Sequence, residues 1–112
     1  MAEPYLGQLD ALVDELELGE VGRDLECRHF FGGAALYFNG KICASLTPVG
    51  LAVKLPPVPR QAMLADGRGH PLRYFPAGKV KKEYVLLSEP VAADHSAVRE
   101  LLRTSFRYVR PE

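Results

Sequence analysis

Between residues 25 and 55 the apolar side chains alternate, and turn signals break the alternation at Gly32-Gly33, at Asn39-Gly40 and over residues 47–50. Short strands joined by tight turns follow, which is an antiparallel meander. The same pattern sets register. In the loop of Thr47, Pro48, Val49 and Gly50, proline takes the second place of a type I turn and glycine the fourth, so Leu46 faces Leu51. Continuing that pairing sets Ala44 opposite Val53 and Ile42 opposite Leu55, one apolar face to be buried. Lys41, Cys43, Ser45, Ala52 and Lys54 then point the other way. In the preceding hairpin, a two-residue Asn39-Gly40 turn would set Leu36 beside Cys43 and send Ile42 to the wrong face. A three-residue loop ending in a G1 bulge at Gly40 pairs Leu36 with Ile42 and is preferred.

The meander lies between two helical patterns. Leu6, Leu9, Leu12, Val13 and Leu16 recur at three- and four-residue steps, predicting a helix over residues 4–18 with Pro4 in its first turn and Gly19 as its left-handed cap. Val98, Leu101, Leu102, Phe106 and Val109 predict a second, opening at Asp94 as N-cap and ending before Pro111. Between these, Pro56, Pro57 and Pro59 end a strand, and residues 60–66 suit a short helix stopped by Gly67. Residues 67–78 read as irregular, with a short strand around residues 72–75, and residues 80–87 as a further strand. With 112 residues, 47% of them apolar, one packed domain over residues 1–112 is expected. The order predicts a two-layer α+β fold, an antiparallel sheet of about five strands flanked by N- and C-terminal helices.

Catalytic and metal chemistry finds little purchase. Gly32 and Gly33 lead into a strand, whereas a phosphate loop opens a helix, and no GxGxxG or GK[ST] spacing occurs. Cys27 and His29 share a strand face, with Cys43 on a neighbouring strand, yet no paired CxxC or HxxxH spacing supports a zinc site. Neither cysteine has an evident base to activate it, and two are too few for a disulfide framework. His70 precedes a proline and His95 opens a helix, places where solvated or capping roles suffice. Neither a metal, a cofactor nor a catalytic residue is assigned.

Charge is more informative. Fourteen basic and fourteen acidic side chains cancel, but residues 1–30 hold eight acids and two bases, and the remainder six acids and twelve bases. Arg99, Arg103 and Arg107 repeat every fourth residue down the last helix, with Arg110 three further on, while Lys79, Lys81 and Lys82 crowd the start of the last strand. Those six residues, Lys79, Lys81, Lys82, Arg99, Arg103 and Arg107, form the candidate partner-binding face. A phosphate-facing stripe, a solvated helix face and a pairing with the acidic first helix, within one chain or across a homodimer, all fit this spacing. No apolar run approaches the roughly 20 residues of a membrane span and the N-terminus is acidic, so a cytoplasmic protein with no membrane partner is expected.

The segment RHFFGGAALYFNGKICASLTPVGLAVKLP resembles the N-terminal domain of the TfoX (Sxy) competence-regulator family. The hallmark places are taken by Arg28, Phe31, Gly32, Gly33, Leu36, Tyr37, Gly40, Leu51 and Lys54. GKVKKEYVLLSEP and RELLRTSFRYV are similar to that family's final strand and helix, so the likeness runs over residues 9–109. Such regulators often carry a second helical domain, and none is expected here beyond the last helix. The resemblance implies helices against an antiparallel sheet, no catalytic residue and no cofactor. A small bacterial, non-enzymatic regulatory or protein-interaction module is therefore expected, with an unidentified protein partner. A weak, sequence-nonspecific nucleic-acid binder using the basic C-terminal helix is the alternative.

Overall fold

The structure, a computed structural model, describes residues 4–19, 24–30, 32–74 and 77–110. The leucine stripe near the N-terminus forms α1 (Tyr5–Leu16), which buries Leu9 and Leu16. It stops earlier than the periodicity predicts, because Glu17 already takes the left-handed conformation, φ 51°, that the sequence reading gave to Gly19. Gly19 is left-handed as well, φ 74°, but lies beyond the cap.

Among the described residues, six strands form one antiparallel sheet in the order β1-β2-β3-β4-β6-β5, one strand more than expected. They are β1 (Leu25–Phe30), β2 (Gly33–Phe38), β3 (Lys41–Thr47), β4 (Gly50–Lys54), β5 (Gly69–Pro71) and β6 (Tyr84–Leu87). The β3–β4 hairpin has the anticipated register, with Leu46 opposite Leu51 and Ala44 opposite Val53. Its ladder ends there, and Leu55 instead donates its N–H to the Glu83 carbonyl at 2.9 Å. β5 lies at residues 69–71 and not 72–75, and β6 spans only the apolar end of residues 80–87. Three residues are too few to display alternation, so β5 has no signature of its own.

The β2–β3 turn corrects the sequence reading. Asn39 and Gly40 both have positive φ, 51° and 80°, as a two-residue type I′ turn requires, and Phe38 pairs directly with Lys41. The register shift arises further on: Tyr37 pairs with Ile42 but Leu36 with Ala44, so Cys43 is the extra residue of a β-bulge. The bulge brings Ala44, not Ile42, beside Leu36, and Ile42, which the sequence reading paired with Leu36, lies with Tyr37 on the second face.

Helix α2 (Pro57–Asp66) starts at the prolines, with Pro57 and Pro59 both in its first turn, and ends at Gly67, whose φ is 83°. A short α3 (Glu89–Ala92), which no periodicity announces, precedes α4 (His95–Val109). Asp94 caps α4 as expected, its side chain accepting from the N–H groups of Ser96 and Ala97. α1 and α4 pack on one face, where Phe38 and Phe106 stack with centroids 4.9 Å apart. Among the described residues, no helix is long and apolar enough to cross a membrane.

The expectation of one buried sheet face is also corrected. Ala35, Ser45 and Ala52, which alternation turns away from α1 and α4, are fully buried. The stretch after β5 crosses that side: the Tyr74 hydroxyl lies 3.2 Å from Ser45 Oγ, and its ring meets Phe30 edge-on at 5.6 Å. The sequence reads this stretch as irregular with a short strand around residues 72–75; Leu72 within it is completely buried.

Candidate functional site

Antiparallel pairing brings the start of β3, the end of β4 and the start of β6 to one end of the sheet. The last turn of α4 arrives at the same end. Two open cavities result. The larger, about 650 Å³, is bounded by Lys41, Ile42, Lys54, Glu83 and, from the end of α4, Tyr108 to Arg110. The smaller, about 300 Å³, is bounded by Lys54, Lys81, Lys82, Glu83 and Tyr84. Lys54 and Glu83 belong to both, so the cavities form one trough divided by that pair. Among the described residues, its lining holds five basic side chains against one acid, in a chain whose formal net charge is zero.

Lys54 is the most enclosed of these cations, its side chain 25% exposed. Its Nζ lies 3.3 Å from Glu83 Oε1 and 6.0 Å from the centre of the Tyr84 ring, against which the β4–β6 ladder sets it. Burial pushes the Tyr84 phenol well above the ordinary tyrosine range, with Tyr74 nearby adding to the shift, so Tyr84 stays a neutral hydroxyl. Lys41, Lys81, Lys82 and Arg110 are exposed. Such a trough can attract and hold anionic groups.

Arg28, Tyr37 and Lys54, three of the motif residues, lie on the second face of the sheet. The Arg28 guanidinium sits 4.6 Å over the Tyr37 ring and 2.9 Å from Glu26, whose carboxyl it holds below the usual range. Phe31 lies outside the described residues. Gly32 has φ 76° and Gly40 φ 80°, both turn conformations that favour glycine. Gly33 is required by space: a Cβ there would come within 2.5 Å of the Leu46 carbonyl oxygen.

The six candidate partner-binding residues separate. Lys81 and Lys82 line the trough, and Lys79 is exposed just before them. Arg99 is half-buried and donates from Nε to the Leu16 carbonyl at 2.8 Å, so the basic helix meets the acidic one within the chain. Arg103 pairs with Glu100 at 3.6 Å and Arg107 approaches the Thr104 hydroxyl at 3.4 Å, both exposed on α4. His95 lies 3.7 Å from Glu15, a second link between those helices when the imidazole is protonated. Lys41, Lys54, Glu83, Tyr108 and Arg110 were not singled out for binding. The hairpin register already placed Lys41 and Lys54 at the same end, but nothing local announces that β6 and α4 end there too.

The cysteines lie elsewhere. Cys43 is buried under α4, and its thiol donates to the Leu36 carbonyl at 3.3 Å. Burial pushes it up to about 12 and does the same to Cys27, where the neighbouring Asp10 adds to the effect. Both are thus poor nucleophiles at neutral pH. Among the described residues, no three His, Cys, Asp or Glu side chains gather as a metal site needs.

No curated protein matches the chain. The family model of the TfoX N-terminal domain does, over residues 17–108, a span reaching from the end of α1 almost to the end of α4 and containing the hairpins, the Phe-Gly-Gly turn and the Lys54 strand. The chain belongs to the TfoX N-terminal domain family.

Proposed function

We propose that this domain is a non-enzymatic interaction module of regulatory type, which docks an acidic segment of a partner protein in the trough around Lys54. The observation that carries the proposal is the concentration, among the described residues, of Lys41, Lys54, Lys81, Lys82 and Arg110 about the carboxylate of Glu83, in a chain of zero net charge. Opposite charge of this density steers a partner and fixes its register. The opening is broad and shallow, which suits an extended segment. The site of action is the cytoplasm, a placement supported by two free cysteines.

The second reading, a sequence-nonspecific nucleic-acid binder using α4, draws on the exposed Arg103 and Arg107. Arg99, the third member of that stripe, is engaged with α1. A fluorescent ten-residue glutamate peptide and a ten-residue thymidine oligonucleotide, titrated into the domain at low and high salt, separate the two. The module reading expects salt-sensitive peptide binding that is lost in a Lys81→Glu, Lys82→Glu variant. Preference for the oligonucleotide, with loss in an Arg103→Glu, Arg107→Glu variant, sinks it.

A further inference from the structure

Resting on the reading of the trough as an acid-binding site, we infer that Glu83 is a built-in competitor of the ligand, and that an incoming carboxylate binds by taking the place of Glu83 on Lys54. Among the described residues, Lys54 is the cation common to both cavities. An acidic segment lying along the trough must cross it. At that crossing the Lys54 ammonium already holds a carboxylate, 3.3 Å away.

The two partners of this pair are anchored differently. Lys54 belongs to the β4–β6 ladder opposite Tyr84, and its side chain is only 25% exposed. Glu83 is held through its backbone, its carbonyl accepting from the Leu55 N–H at 2.9 Å, while its side chain is 51% exposed. The Glu83 carboxylate can therefore leave by rotation of its own side chain, with the strand and the turn unmoved. An ion pair whose carboxylate side chain is half-exposed is weak enough to exchange. The competitor also supplies selectivity: a ligand with a single weak contact does not displace Glu83, whereas one that simultaneously engages Lys81, Lys82 or Arg110 does.

The test is fluorescence anisotropy of the labelled ten-residue glutamate peptide at low ionic strength, with wild type, Glu83→Gln and Glu100→Gln. The last removes the same charge from an exposed place on α4, outside the trough, so it measures the effect of net charge alone. Glu83→Gln should bind roughly 3- to 10-fold more tightly than wild type, with Glu100→Gln close to wild type. Equal gains from both variants, or binding by Glu83→Gln no tighter than wild type, overturn the inference and leave the trough reading standing. Absence of binding in wild type and Glu83→Gln alike fails the trough reading, and the inference with it.

Discussion

Ser105 on α4 donates a hydrogen bond from its hydroxyl to the carbonyl of Cys43, 3.1 Å away and fully buried. Cys43 is the bulged residue of β3, and a bulge leaves its extra residue outside the ladder. Ser105 thus gives the carbonyl of the bulged residue a partner from α4, which accounts for a buried serine in an otherwise apolar helix face. Ser105→Ala should lower stability by about 1–3 kcal/mol in urea denaturation, the cost of an unsatisfied buried carbonyl. A loss below about 0.5 kcal/mol would show that the bulge does not depend on α4.

The Arg99 contact resolves the opposed charges of the two ends of the chain. α1 has no basic residue in its last turn, and Arg99 supplies the missing cation from α4, bonded to the carbonyl of Leu16. Arg99→Ala is expected to cost about 1–2 kcal/mol, and Arg99→Lys to recover part of it. Thermal or urea unfolding of both variants checks this; an unchanged Arg99→Ala would leave Arg99 free to bind partners.

Two glycines should respond oppositely to alanine. At Gly33 the new Cβ would strike backbone, 2.5 Å from the Leu46 oxygen and 2.8 Å from the Thr47 Cα, so the hairpin must shift. Gly33→Ala is expected to destabilise by about 2–4 kcal/mol. Gly7, on α1 with nothing within 4 Å, should gain up to about 1 kcal/mol as Gly7→Ala from helix propensity alone.

The buried thiol predicts a fall in stability at high pH. Cys43 moves from 9.0 in the unfolded chain to about 12 in the folded one. Between those values the unfolded state has lost a proton that the folded state keeps, so stability is full below pH 9.0 and declines as pH rises towards 12. The Cys43 contribution to that slope is about 1.4 kcal/mol per pH unit. Denaturation curves of wild type and Cys43→Ala across this range should show a shallower decline in the variant. Parallel declines would mean that the thiol does not titrate on unfolding.

What was legible in the sequence is what local chemistry specifies. Pro48 and Gly50 with flanking alternation disclose the β3–β4 register, and Asp94 before an amphipathic run discloses α4. The Cys43 bulge was hidden because its cause is tertiary: Ser105 lies far along the chain and makes the extra residue tolerable. The burial of Ala35, Ser45 and Ala52 was hidden for the same reason, since an irregular stretch covers them through Tyr74. At the candidate site, Lys81 and Lys82 stand out as a run. Lys41, Lys54 and Arg110 join them only because the ladder and α4 end together.

The most direct test of the trough is a two-dimensional NMR titration of the isotopically labelled domain with the ten-residue glutamate peptide. Amide shifts should gather at Lys41, Ile42, Lys54, the turn from Lys81 to Tyr84 and the end of α4, and should vanish at about 0.5 M salt, where charges are screened within a few ångströms. Shifts centred on Arg103 and Arg107, or on the acidic face of α1, or no shifts at low salt, would contradict the assignment of this trough as the binding site.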